Sequence, residues 1–138
     1  MREYLFRAKR KDNGEWVEGF FTYHLVDHLY IARIERSTGN EYGEPVDYIT
    51  VDEKTVGQFS GITDKHGKKI FEGDLLKIRV PRNPNFSAVR EIVFKDGQYI
   101  ALDKDGGESE FACLSDIEVV GNIYDNPEKY VGTRYDND

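Results

Sequence analysis

Residues 89–102 read Val-Arg-Glu-Ile-Val-Phe-Lys-Asp-Gly-Gln-Tyr-Ile-Ala-Leu. Two runs of alternating character, Val89 to Phe94 and Gln98 to Leu102, flank Asp96-Gly97. Asp and Gly tolerate the positive φ that a tight hairpin turn requires, so the stretch predicts two antiparallel strands. The rest of the 138 residues follows the same bias: Ile, Val, Phe, Tyr, Trp and Thr number 45, whereas Ala, Leu and Met number 13. Branched and aromatic side chains fit a pleated, half-buried surface and lose rotamer freedom in helices. No window shows a sustained 3.6-residue period, and the chain is predicted to be mainly β.

Working outward from that hairpin, turn residues divide the chain. Tyr4 to Lys9 alternates as a first strand, Asp12-Asn13-Gly14 turns it, and Glu15 to Tyr23 continues with a bulge or close backbone approach at Gly19. Tyr30 to Glu35 and Val46 to Val51 are further strands, separated by a long polar loop over Ser37 to Pro45, and Thr55 to Phe59 extends the sheet. Glu72-Gly73-Asp74 leads into Leu75 to Val80, which Pro81 to Pro84 ends. A short strand or turn over Phe111 to Ile117 precedes a last strand, Glu118 to Ile123. Asn126-Pro127 reads as an N-cap and first helical position of one terminal turn.

Leu, Ile, Val and Phe make up 36 of 138 residues, enough for a core despite 33% charged residues. No apolar run reaches the length of a membrane span, and Met1 to Tyr4 lacks a signal-peptide core, so a cytoplasmic location with no membrane partner is expected. The Asn85-Phe86-Ser87 sequon then has no use, and the lone Cys113, read as a core residue, excludes an internal disulfide. A net charge of −7 disfavours nucleic acid as a general partner. The charge is polarised: residues 1–11 carry +4 and residues 103–138 carry −7. That polarity, with the unpaired edges of an open sheet, predicts a homo-oligomer whose contact lies in the N-terminal strands, with Trp16, Phe20 and Phe21 as anchors. A host protein is a further candidate partner.

Residues 56–80, VGQFSGITDKHGKKIFEGDLLKIRV, and residues 119–127, VVGNIYDNP, resemble the two signature segments of the YopX family of phage and prophage proteins. The opening Tyr4-Leu5-Phe6-Arg7-Ala8-Lys9 is similar to that family's start, and the three matches frame about residues 4–130. The resemblance implies a mainly β protein with an SH3-like small β-barrel in its C-terminal part, and no reaction; the domains expected are a β-strand region over 1–52, the barrel over 53–130 and a flexible acidic tail over 131–138. The motif residues have structural reasons to be there. Gly67 and Gly73 stand where the chain must reverse sharply, Asp64 and Asp74 can bond backbone N–H groups a residue or two on, and Gly61, Gly121 and Asn122 are counted in the same structural motif.

Chemistry finds little footing. His24 and His28 could share a metal on a helix, but in a strand they stand about 13 Å apart, so no metal site is expected. Glu108 and Glu110 would share a strand face at glycosidase-like spacing, as in any acidic strand. Gly106-Gly107 precedes Glu108 rather than a phosphate-loop Lys-Ser. No cofactor and no enzymatic activity are expected. The function expected is a non-enzymatic protein-interaction module. The alternative is a nucleic-acid-linked role: either the turn bearing Lys65, Lys68 and Lys69 beside Phe59 and Phe71, or the acidic Asp103 to Glu118 segment acting as a DNA mimic against a host DNA-binding protein.

Overall fold

The computed structural model describes residues 4–37, 46–80, 83–110, 116–132 and 134–135. Cys113, most of the loop expected over Ser37 to Pro45 and most of the short strand or turn expected over Phe111 to Ile117 lie outside the described residues. The chain forms two compact units, Met1–Phe59 and Ser60–Asp138. Twelve strands and two single 3-10 turns make up the described secondary structure, with no helix long and apolar enough to cross a membrane among the described residues.

In the first unit the strands are β1 (Phe6–Lys9), β2 (Trp16–Val26), β3 (Leu29–Ser37) and β4 (Val46–Thr50), followed by β5 (Gly57–Thr63), which carries the chain onward. They pair antiparallel in the order β4-β3-β2-β1-β5. Ala8 from β1, Val17 from β2, Ala32 and Ile34 from β3, and Ile49 and Val51 from β4 and its flank form the core, and Phe6, Phe21 and Val56 pack around them. Gly19 pairs with Phe6 in unbroken register, so the bulge alternative does not hold; a Cβ there would stand 2.3 Å from the Glu35 carbonyl oxygen. The close approach is what requires glycine. Residues Glu53–Thr55, expected in part as strand, form a 3-10 turn instead, because Asp52 Oδ1 accepts from the Lys54 N–H at 3.1 Å and starts a helical turn.

The second unit holds β6 (Lys69–Phe71), which neighbours β5, then β7 (Asp74–Val80), β8 (Asn83–Lys95), β9 (Gln98–Asp103), β10 (Glu108–Glu110), β11 (Ile117–Asn122) and β12 (Arg134–Tyr135). Its sheet runs β10-β9-β8-β7-β11, antiparallel throughout, and β12 adds to β8 through Ser87 and Phe86. The hairpin predicted from Asp96-Gly97 is present: both residues have positive φ, and β8 meets β9 from Lys95–Gln98 through Arg90–Asp103. Ile70, Leu76, Ile78, Ile92, Ala101 and Ile117 form its core.

β7 ends at Val80, as expected of the Pro81 to Pro84 segment, and Pro84 itself belongs to the next strand. It lies near the start of β8, where register against β7 is already irregular between Arg79 and Val80, so no regular ladder bond is sacrificed. The terminal turn, Pro127–Lys129, has proline at its start, but Asn126 does not cap it; its Oδ1 accepts from the Asn122 N–H at 3.3 Å. The strand order of the described residues shows two antiparallel sheets and not the closure of an SH3-like barrel, so the expectation holds as far as a mainly β fold.

Candidate interaction arm

The family-like motifs prove to be a fastening inside the second unit. Asp64 is buried, and its Oδ1 accepts from the N–H groups of His66 at 2.8 Å and Lys68 at 2.9 Å while Oδ2 accepts from Val119 at 3.0 Å. Burial opposes ionisation, but the three N–H donors outweigh it and hold the carboxyl below its usual value. Asp74, also buried, accepts from Phe71 N–H at 2.8 Å, three residues back rather than onward as expected. Gly73, at φ +88°, donates to Ile92 and its carbonyl accepts from Ile123, a bond that joins the two signature segments. A Cβ on Gly121 would stand 2.6 Å from Asn126 Oδ1, and Asn122 Oδ1 accepts from Tyr124 and Asp125. Gly61 and Gly67 have positive φ in open space. These residues build turns.

The basic turn offers less than its sequence suggested. Lys65 Nζ lies 3.3 Å from Asp116 and 3.8 Å from Glu118, and His66 lies 3.6 Å from Glu118. Lys68 and Lys69 are exposed, but Phe59 and Phe71 are buried core residues, so no ring is available for a base to stack on. Glu108 is engaged with Lys95. His24 lies within β2 and His28 in the turn after it; no group of three His, Cys, Asp or Glu among the described residues is placed to hold a metal.

The N-terminal strands are different. β1 pairs with β2 only over Trp16–Gly19, and β4 with β3 only over Arg33–Ser37. Beyond these, β2 and β3 continue as a two-stranded arm closed by Asp27 and His28, both at positive φ. Two successive left-handed residues give the turn whose twist matches a hairpin, here without glycine. The opposed pairs Phe21–Ile34, Tyr23–Ala32 and Leu25–Tyr30 share one face, which is the core face at its root. Exposure climbs along it: Ile34 0% and Ala32 7%, then Tyr23 49%, Leu25 55% and Tyr30 73%. On the other face Phe20, Val26 and Leu29 are also exposed, Leu29 at 69%. Among the described residues the distal arm is apolar on both sides and covered on neither.

Aromatic contacts stiffen it. Phe21 lies 5.9 Å from Phe6 and 5.0 Å from Tyr23, and Tyr23 meets Tyr30 edge-on at 6.2 Å. The Tyr23 hydroxyl donates to Glu53, which, with partial burial, holds the phenol above its usual pKa. Of the anchors expected from sequence, Phe20 is exposed, Phe21 packs on the core, and Trp16 is half-buried beneath Arg7, whose guanidinium lies 4.7 Å from the ring centre. Sequence reading missed Leu25, Leu29 and Tyr30. The available signal was the run Tyr23 to Val26 and Leu29 to Ile31, apolar on both faces of a strand around a polar pair.

The family model for YopX protein matches residues 5–130. The chain belongs to the YopX family. Its fold is similar to that of the crystal structure of protein EF1440 from Enterococcus faecalis, with TM-score 0.57 and 25% identity over 93% of this chain and 98% of that one. It is likewise similar to YopX from Bacillus subtilis, with TM-score 0.59 and 18% identity over 95% and 99% of the respective chains. No curated protein matches the chain. In this YopX-family chain the two signature segments are thus the fastening described above, and the arm stands outside both.

Proposed function

We propose that this chain is a phage or prophage accessory protein that works by protein–protein association, without a reaction of its own, and that the β2–β3 arm docks on a second copy of the chain. The observation that carries the reading is the uncovered apolar surface of the arm beyond Ala32. Two strands alone are marginal in water, and apolar side chains on both faces gain only when something covers them. Burying a side chain such as Leu or Tyr contributes about 1.5–3 kcal/mol, so covering Leu25, Leu29 and Tyr30 offsets a substantial part of the cost of association. A second copy is favoured because one sequence supplies both signs of charge, +4 over residues 1–11 and −7 over residues 103–138. Reading the second unit as an SH3-like barrel belongs to the same proposal; a thirteen-residue β8 that pairs with β7, β9 and β12 supports it.

Size exclusion with light scattering at tens of micromolar tests this. An oligomer is expected for the wild type and a monomer of unchanged melting temperature for Leu25→Asp/Leu29→Asp. A wild-type monomer, or a double variant still associated, overturns the proposal; a monomer that captures a host protein through the arm transfers the site to that partner.

A further inference from the structure

We propose that the depression around Lys11, in the first unit, binds a phosphate-bearing ligand. Its lysines lie outside the docking face of the arm, with which the site shares only Tyr30, so the phosphate contact is tested independently of self-association. The end of β1 is zipped to the segment after β4: Lys11 N–H donates to Thr50 at 3.1 Å, Asp52 N–H donates to Lys9 at 2.8 Å, and Arg10 bridges Val51. The turn after β1 closes through Gly14 N–H on the Arg10 carbonyl at 2.9 Å. These bonds fix the roots of several cationic side chains in one place. A depression of about 440 Å³ is lined by Lys9, Arg10, Lys11, Gly14, Asp52 and Lys54. Four cations face it against one carboxylate, in a chain whose net charge is −7. Two neighbouring depressions share Lys11. One, of about 280 Å³, also has Lys54 and the exposed ring of Tyr30; the other, of about 420 Å³, has Tyr48.

What the charges are doing decides whether this is a site or a solvated surface. Of the acids nearby, Asp12 is paired with a cation, while Asp52 and Glu53 are held by neutral donors and keep their charge. Asp12 accepts twice from the Arg10 guanidinium at 2.9 Å, Asp52 accepts from the Lys54 N–H, and Glu53 accepts from the Tyr23 hydroxyl. Lys9 Nζ lies 5.5 Å from the Trp16 ring centre. The ammonium groups of Lys11 and Lys54, by contrast, have no carboxylate partner among the described residues. Uncommitted cations converging on a concave surface focus a positive potential there. A single carboxylate would leave most of that charge uncompensated. A phosphomonoester carries about −1.5 to −2 at neutral pH and three acceptor oxygens, which suits several ammonium groups at once. The Tyr30 ring beside it gives a face for a planar group on the same ligand, as a nucleotide would have.

Calorimetric titration of the full chain with inorganic pyrophosphate, thymidine monophosphate and single-stranded oligothymidylate tests the proposal. All three share the phosphate chemistry, and their ranking identifies the source. Equal affinity for the mononucleotide and the oligomer indicates a free nucleotide; tighter, more salt-sensitive binding of the oligomer indicates a strand. Binding is expected to weaken about tenfold or more in Lys11→Ala/Lys54→Ala, and to be unchanged in Lys65→Ala/Lys69→Ala on the second unit. Both lysines of the first pair are exposed, so the melting temperature should not move. Tyr30→Ala should weaken the two base-bearing probes and leave pyrophosphate unaffected. Failure of all three probes to bind, or equal binding by the Lys11/Lys54 double variant, overturns the site.

Discussion

The buried Asp64 carboxylate accepts a hydrogen bond at 3.0 Å from the backbone N–H of Val119, 55 residues further along the chain. The same carboxylate holds its own turn through His66 and Lys68, while Lys65 N–H donates to the Ile117 carbonyl at 3.1 Å. One side chain thereby closes a local turn and fastens it to β11. A polar group can occupy such a position because every one of its bonds is made. The family signature is thus a record of how the second unit is tied together.

Asp64→Asn is expected to destabilise the chain by about 1–3 kcal/mol at neutral pH, because an amide has one acceptor oxygen where three N–H donors need a carboxylate. The folded pKa lies below the usual 3.8, so the contribution is complete above the unfolded value and is lost as pH falls through the folded one. Urea unfolding at a series of pH values should show wild type losing stability below about pH 4 and the variant losing less. Parallel acid profiles would refute this role.

At Gly73 two costs coincide. Its φ is +88°, and an added Cβ would lie 3.1 Å from the Tyr124 ring. Gly73→Val should lower stability by about 1–3 kcal/mol or more. Gly67→Ala, at φ +80° with nothing within 4 Å, meets only the backbone cost and should lose less. Thermal melts in which Gly67→Ala is the more damaging would contradict the crowding at Tyr124.

The parts of the fold legible in the sequence are those whose local chemistry agrees with the tertiary answer. Asp96-Gly97 announces its own turn, and the β8–β9 register follows from alternation on either side. Asp27-His28 adopts the same left-handed pair without glycine, so the hairpin it closes goes unannounced, and with it the length of the arm. Pro81 to Pro84 signals the break that ends β7 at Val80, but not that Pro84 itself enters β8, where the β7–β8 ladder is irregular and a missing N–H costs little. The anchors Trp16 and Phe21 were legible as aromatic but not as covered. Whether a ring is buried depends on Arg7 and Phe6, whose placement comes from strand pairing. The Lys11 depression was visible only as a basic start, since its other wall, Asp52 and Lys54, arrives from more than forty residues away.

Tyr130 offers a test at alkaline pH. Its hydroxyl donates to the Leu102 carbonyl at 2.6 Å. Burial, with the charges of Glu91 and Asp103 adding to it, pushes the phenol up to about 12. A raised acid pKa means the neutral form is favoured by folding, so its contribution is present below the unfolded value of 10 and is lost as pH rises toward 12. Tyr130→Phe should cost about 1 kcal/mol at pH 7 and abolish that part of the alkaline loss. An unchanged alkaline limb in the variant would show that the loss arises elsewhere.

Salt separates the two forces invoked for self-association. If the +4 start and the −7 end draw copies together, the attraction is between exposed groups, and raising ionic strength from about 0.05 to 1 M shortens the screening length from over 10 Å to about 3 Å. If the arm does the work, the contact is apolar, and a salt that screens charge leaves it intact. The arm has exposed apolar residues on both faces, with Leu25 and Tyr30 opposed on one and Val26 and Leu29 on the other, whereas the charged segments are spread along the chain. The oligomer is therefore expected to persist at 1 M sodium chloride, with high salt slowing association more than it speeds dissociation. Light scattering at both salt concentrations, with stopped-flow dilution for the rates, reads this directly. Dissociation in high salt alone would assign the contact to the charges and remove the arm from the interface.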